Sequence, residues 1–253
     1  MSLLEVRGVT RSFYGVHALN GVDLDVEPGR ITGLIGPNGA GKTTLFNCIS
    51  GLVPADGGSI RFAGTDITRM RPDQVTKAGL VKTFQIARGF PRLTVLENLL
   101  LYAPDQPGEH VGAALLRPKA AIARERQIMT RATEIAAMLN LTRVLNDKAS
   151  DLSGGQKKLL EIGRALMSEP KLILLDEPAA GVNPTLVREI GEKLREIVAR
   201  GVTLLLIEHQ MDMIARLCDH VVVMAEGRRL VEGSFEEVAG NHEVQQAYMG
   251  RRS

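Results

Sequence analysis

The chain has 253 residues, enough for one large domain or two small ones and for a sizeable buried core. Hydrophobic residues make up 44% and charged residues 24%, which excludes a disordered chain. Lys and Arg number 31 against 29 Asp and Glu, and a net charge of +2 gives no general argument for nucleic acid or an acidic partner. Cys48 and Cys218 are the two cysteines, too few for a disulfide framework, and they read as reduced thiols of a cytosolic protein. The apolar runs at 172–175 and 202–207 fall far short of the roughly 20 residues of a membrane helix. Residues 1–9 carry Glu5 and Arg7 and lack the character of a secretory signal.

In chain order, the first 30 residues read as short alternating strands. Val22, Leu24 and Val26 alternate with Asp23 and Asp25, as in a half-solvated antiparallel strand. Ile60 and Phe62 flank Arg61 in the same way. Residues 31–35 are an apolar strand that runs into a glycine-rich turn. The runs at 172–175, 202–207 and 221–224 fit strands covered on both faces, as in a parallel sheet. A helix is predicted over about 184–200. Asn183 caps it, Pro184 suits its first turn, Gly201 suits its exit, and Val187, Ile190, Leu194 and Ile197 form its apolar stripe. Strands alternating with such helices predict right-handed βαβ units and an α/β core.

The middle differs. From about 86 to 150 no strand is predicted. Ile128, Ala132, Ile135 and Leu139 share one helical face, and Pro104, Pro107, Gly108 and Pro118 break the stretch. Arg117, Lys119, Arg124, Arg126 and Arg131 read as a solvated helix face in preference to a surface for lipid headgroups.

Gly36, Pro37, Asn38, Gly39, Ala40, Gly41, Lys42 and Thr43 match the phosphate-loop pattern. An apolar strand precedes them, and 42–50 reads as a helix with Gly51 at its exit. Glycines let backbone N–H groups wrap a phosphate closely, and the helix N-terminus adds a favourable dipole. Lys42 reaches the β and γ phosphates, and Thr43 offers a hydroxyl to Mg²⁺. Thr44 completes the set of residues expected on the nucleotide.

The strand at 172–175 ends in Asp176 and Glu177. The carboxyl ends of parallel strands line the ligand crevice. Asp176 is therefore expected to hold Mg²⁺, directly or through water, and Glu177 to orient or deprotonate the attacking water. Ser153 and Gln156 have the spacing of a capping box around Gly154 and Gly155. The two glycines expose N–H groups at a helix start, which makes a second anion site.

Leu152, Ser153, Gly154, Gly155 and Gln156, shortly before Asp176 and Glu177, resemble the signature of ABC-type ATPases. Other marks follow in order. Tyr14 stands where the family stacks an aromatic on adenine, Gln85 matches the Q-loop glutamine, and His209 matches the switch histidine. The resemblance implies a P-loop NTPase core with an N-terminal antiparallel β subdomain, an inserted α-helical subdomain and a short C-terminal helix. The expected division is 1–85 and 151–235 for the core, 86–150 for the helical part and 236–253 for the tail helix. It further implies that two ATPase subunits meet head to tail, with Ser153, Gly154, Gly155 and Gln156 acting on the partner's ATP. Glu177, His209 and Lys42 are then the catalytic residues, and Thr43, Gln85 and Asp176 the Mg²⁺ set. Gln85 also begins the segment that faces a membrane partner.

Ala179, Ala180, Gly181, Val182 and Asn183 depart from the many ABC ATPases with an aspartate at the last position. They are similar to the ATPases of branched-chain amino-acid importers, as are Lys82 with Thr83, Phe84 and Gln85, and the runs at 159–165, 207–212 and 243–250. That resemblance implies a heterodimer with a second ATPase, two membrane permeases and an external solute-binding protein, at the cytoplasmic face of the cell membrane, without nucleic acid. Lipopolysaccharide export, urea or amide uptake, and a non-transport ABC ATPase are the competing readings. His17, His110, His220 and His242 show no ligand spacing with the cysteines, so no structural metal is expected.

Overall fold

The alternation in the first 30 residues forms a β-hairpin. In the computed structural model, which describes residues 2–83, 90–106 and 119–249, β1 (Leu4–Phe13) and β2 (Val16–Val26) pair antiparallel. Tyr14 and Gly15 join them with φ of 48° and 86°, the positive-φ pair whose twist suits a two-residue hairpin. Val22, Leu24 and Val26 are buried, while Asp23 and Asp25 are not.

The described residues fall into two compact units. The first holds those of Met1–Gln85, Lys171–Ala180 and Val187–Ser253, and the second those of Ile86–Pro170 and Gly181–Leu186.

In the first unit the strands continue with β3 (Ile31–Ile35), β4 (Gly57–Phe62), β5 (Thr65–Asp66), β6 (Leu80–Lys82), β7 (Leu172–Asp176), β8 (Thr203–Ile207), β9 (His220–Ala225) and β10 (Arg228–Gly233). One antiparallel sheet has the order β2-β1-β4-β5 and the other sheet the order β10-β9-β3-β8-β7-β6. Within the second, β9 through β6 run parallel and β10 is an antiparallel edge. Every residue of β3, β7 and β8 is buried, as their unbroken apolar runs predict. Leu34 and Asp176 both lie opposite Ile207. The carboxyl ends of the three central strands are therefore level. The helix Lys42–Ile49 leaves β3 through the glycine turn, and Ser50 caps its end before Gly51 at φ 72°. Leu4, Leu24, Phe46, Phe62, Leu174 and Leu205 belong to the core between the sheets and this helix.

β6 and β10 lie outside the sequence expectation. β6 has three residues, and β10 is polar through Arg228, Arg229 and Glu232, so neither carries a buried-strand signature. The tail holds two helices, Phe235–Ala239 and His242–Met249, where one was expected.

The second unit is helical, with Val95–Leu100, Lys119–Met138 and Gly154–Met167. Among the described residues its single β feature is an isolated bridge between Thr94 and Lys148. Ile128, Ala132, Ile135 and Leu139 are all buried. A Cβ on Gly163 would stand 2.9 Å from Leu99 and 3.1 Å from Leu139. The helix Gly154–Met167 therefore packs on the other helices here, so this unit runs on to Pro170 and also takes in Gly181–Leu186, beyond the expected limit at 150. Of the expected solvated basic face, Lys119 is exposed, and two arginines also bond to the chain. Arg124 and Arg131, both partly exposed, donate to the carbonyls of Pro104 and Leu166 at 3.0 and 2.8 Å. Arg126 is exposed, and Arg117 lies outside the described residues. Asn183 caps the helix Pro184–Ala199 as expected, its Oδ1 accepting from the Leu186 N–H at 2.9 Å. Among the described residues no helix is long and apolar enough to cross a membrane.

Candidate active site

Where β3 ends, the chain wraps a cleft of about 340 Å³ lined by residues 38–44 together with Ala18, Glu177, Ile207 and His209. Two of its glycines are dictated by close approach. A Cβ on Gly36 would stand 2.1 Å from the Met224 carbonyl oxygen, and one on Gly41 would stand 2.4 Å from that of Ala18. Gly41, at φ 96°, also precedes the first residue of the helix. Lys42 is 6% exposed, and its Nζ donates to the carbonyls of Gly36 and Pro37 at 2.7 and 3.0 Å. Burial pushes the Lys42 ammonium pKa down, while the charges of Glu177 and Asp176 oppose that shift. The loop thus aims a buried lysine and a helix N-terminus at one cleft, which is what a bound polyphosphate requires.

Asp176 ends β7 and is 4% exposed. Burial raises its pKa above the ordinary carboxylate range, and nearby Lys82 pulls the other way. Lys82 Nζ stands 3.7 Å from Asp176 Oδ2 and donates to Asn47 Oδ1 at 2.6 Å. Glu177 follows at φ 52°, a left-handed conformation that costs a non-glycine residue on the order of 1 kcal/mol or more. Its N–H donates to the Ile207 carbonyl at 3.0 Å. That bond fixes the strained turn against β8. Glu177 Oε1 then lies 3.1 Å from His209 Nε2.

Thr43 and Asp176 supply hard oxygen donors, the chemistry that suits Mg²⁺. Among the described residues no cluster of three or more His, Cys, Asp or Glu could hold a metal by itself. This donor set fits an ion that arrives with its own phosphate ligands. Gln85, the third expected metal residue, lies outside the described residues. Tyr14 is fully exposed at the hairpin tip and is absent from the lining of the cleft.

In the second unit, Ser153 Oγ accepts from the Gln156 N–H at 3.3 Å, and Gln156 Oε1 accepts from the Ser153 N–H at 2.9 Å. The capping box forms as its spacing predicts. A Cβ on Gly154 would meet nothing within 4 Å, whereas one on Gly155 would overlap Leu186. Gly154 therefore keeps its backbone open, and Gly155 admits the side chain of Leu186 from the helix Pro184–Ala199.

The ABC transporter model matches residues 19–180. The chain belongs to the ABC transporter family. It is 41% identical over 250 residues to a probable branched-chain amino acid transport ATP-binding protein, LivG, of Archaeoglobus fulgidus, covering 99% of this chain and 96% of that one. It is 39% identical to the high-affinity branched-chain amino acid transport ATP-binding protein BraF of Pseudomonas aeruginosa, covering 98% of each. Among solved structures, a nucleotide-free ATP-binding cassette from an ABC transporter superposes with a TM-score of 0.86 at 39% identity, covering 99% of this chain and 100% of that one. An ATP-binding cassette in its ADP conformation gives the same TM-score, identity and coverage. The fold of this ABC ATPase is thus the α/β P-loop cassette expected from its motifs.

Within this ABC ATPase, the cleft joins the phosphate loop, Glu177 and His209, while the signature residues belong to the other unit. Three residues near the site lay outside the sequence expectation: Lys82, Asn47 and Glu208. Lys82 and Asn47 meet only through the fold, 35 positions apart. Glu208 adjoins His209 in the sequence and is 3% exposed. A carboxylic acid ending an apolar strand beside a candidate catalytic histidine was the signal that could have found it.

Proposed function

We propose that the chain is the ATP-hydrolysing subunit of an importer for branched-chain or other hydrophobic amino acids. The juxtaposition of Lys42, Glu177 and His209 in one cleft carries the catalytic assignment. The solute class rests on the branched-chain amino acid transport relatives, which match nearly end to end.

Residues 36–41 bind the phosphates through backbone N–H groups, and Lys42 balances charge on the β and γ oxygens. Glu177 takes a proton from the attacking water. That oxygen bonds to the γ phosphorus as the bond to the β-phosphate bridge breaks. His209 orients the Glu177 carboxyl and reaches toward the γ phosphate. Thr43, Asp176 and Gln85 would hold Mg²⁺, which neutralises charge on the phosphates when bound. Tyr14 offers its exposed ring to the adenine base. Ser153, Gly154, Gly155 and Gln156 act on ATP held by a second ATPase subunit, so one ATP bridges two surfaces. Nucleotide drives closure because it binds the closed state better than the open one.

The chain sits peripherally at the cytoplasmic face of the cell membrane, where a second ATPase subunit, two integral membrane permeases and an external solute-binding protein complete the proposed system. The test is a tagged pull-down from detergent-solubilised membranes of the native host, read by mass spectrometry. Co-purification of two polytopic permeases and a second ATPase is expected. Recovery of soluble partners alone would overturn the transport reading and leave the ATP site untouched.

A further inference from the structure

Glu208 is an almost fully buried carboxylic acid, 3% exposed, with no part in the steps above. Its Oε1 accepts from the Ala179 N–H at 2.9 Å, and its Oε2 accepts from the His209 N–H at 3.0 Å. The Ala179 carbonyl accepts from Gln210 Nε2 at 3.4 Å. Both backbone polar groups of Ala179 are therefore held by the two residues that bracket His209. Ala179 lies two positions after Glu177, in the turn that the positive φ of Glu177 begins.

We infer that Glu208 is a positioning residue for hydrolysis: its carboxyl ties the Glu177 turn to the His209 turn. The inference rests on the reading of Glu177 as the base. Glu177 leaves β7 in a strained conformation, and its side chain must be held within hydrogen-bond reach of both water and His209. A single bidentate acceptor between the two turns fixes their separation more tightly than two independent bonds would. It is absent from the lining of the cleft, so it acts through the backbone of Ala179 and His209. A carboxyl group suits the task because both facing groups are donors and only two acceptor oxygens satisfy both.

The test uses Glu208→Gln in the full chain. Glutamine keeps the shape, but its Nε2 faces one of the two N–H donors, so one bond is lost. The expected result is a kcat for ATP hydrolysis lower by about tenfold, with KM and ATP affinity changed by less than about twofold. A double-mutant cycle supplies the readout that simple destabilisation would not give. In a Glu177→Gln background, Glu208→Gln should remove little further turnover, because the group it positions is already gone. A wild-type kcat in folded Glu208→Gln overturns the inference. So does a full additional loss in the Glu177→Gln background. Glu208→Asp, one carbon shorter, serves if the glutamine variant fails to fold, and it should show the same split between kcat and KM. Wild-type turnover in Glu177→Gln alone would instead overturn the reading of the base, so the two failures are distinguishable.

Discussion

His209 Nε2 stands 3.1 Å from Glu177 Oε1 although 32 residues separate them in the chain. Two adjacent parallel strands, β7 and β8, deliver them to the same edge of the sheet, with Asp176 directly opposite Ile207. A base must lie within hydrogen-bond reach of the proton it takes and must be held there by a second group. Geometry of this kind leads to expectations that separate binding from chemistry.

Glu177→Gln should keep the phosphate loop and Lys42 intact while removing the proton acceptor. Turnover is expected to fall by about a hundredfold or more, with ATP affinity unchanged within about twofold and a closed, nucleotide-bound dimer accumulating. Single-turnover hydrolysis, nucleotide titration and size-exclusion chromatography check the three parts. Wild-type turnover would remove Glu177 from its role.

Gly41→Ala places a Cβ 2.4 Å from a backbone oxygen at φ 96°. Neither the oxygen of Ala18 nor the backbone angle yields cheaply. The variant should lose about 2 kcal/mol of stability and bind ATP at least about tenfold more weakly, because the loop must shift to relieve the clash. Urea unfolding and nucleotide titration report the two losses. A Gly39→Ala control has open space within 4 Å but a φ of 82°. It should cost less, since only the backbone strain remains.

Much of this site was legible in the sequence because its residues are contiguous or end apolar runs. The phosphate loop is eight consecutive residues between a strand and a helix. Asp176 and Glu177 end a strand whose run of Leu and Ile marks it as buried on both faces. The rest depends on contacts between distant segments. Lys82 meets Asn47 and Asp176 only once β6 takes its place beside β7, and three-residue β6 has too little pattern to be seen. The helix Gly154–Met167 reads as an ordinary amphipathic helix. Which unit it joins depends on Gly163 admitting Leu99 and Leu139, a packing fact without a periodic signature.

The signature serine has two separable duties. As an N-cap it accepts the Gln156 N–H, so Ser153→Ala should cost about 1 kcal/mol of stability. As a group acting on a partner's nucleotide, it should matter only in the assembly. Ser153→Arg is expected to leave the ATP affinity of the isolated chain nearly intact and to abolish turnover of the assembled complex. Turnover that survives alteration of both signature loops would refute the shared-site arrangement.

The two thiols give a prediction about pH. Burial pushes Cys48 up to about 11 and Cys218 up to about 12. The Cys218 sulfur packs where a Cβ on Gly33 would come within 2.9 Å of it. The thiolate is the reactive form. At pH 8 the Cys48 thiolate fraction is about one in a thousand and that of Cys218 is lower still, against about a quarter for an unperturbed thiol of pKa about 8.5. Iodoacetamide should therefore leave the folded protein nearly unlabelled at pH 8 and modify both cysteines in denaturing urea. The sign for stability follows. A pKa raised by folding means the fold favours the neutral thiol, so this contribution is complete below about pH 9, where an unfolded thiol begins to ionise, and is lost as pH climbs through about 11 to 12. Replacing both cysteines with alanine should flatten that part of the alkaline stability loss relative to the parent, as measured by urea midpoints at pH 8 and pH 10. Rapid, complete labelling of the folded chain at pH 8 would show that the buried Cys48 and the partly exposed Cys218 are not shielded as described.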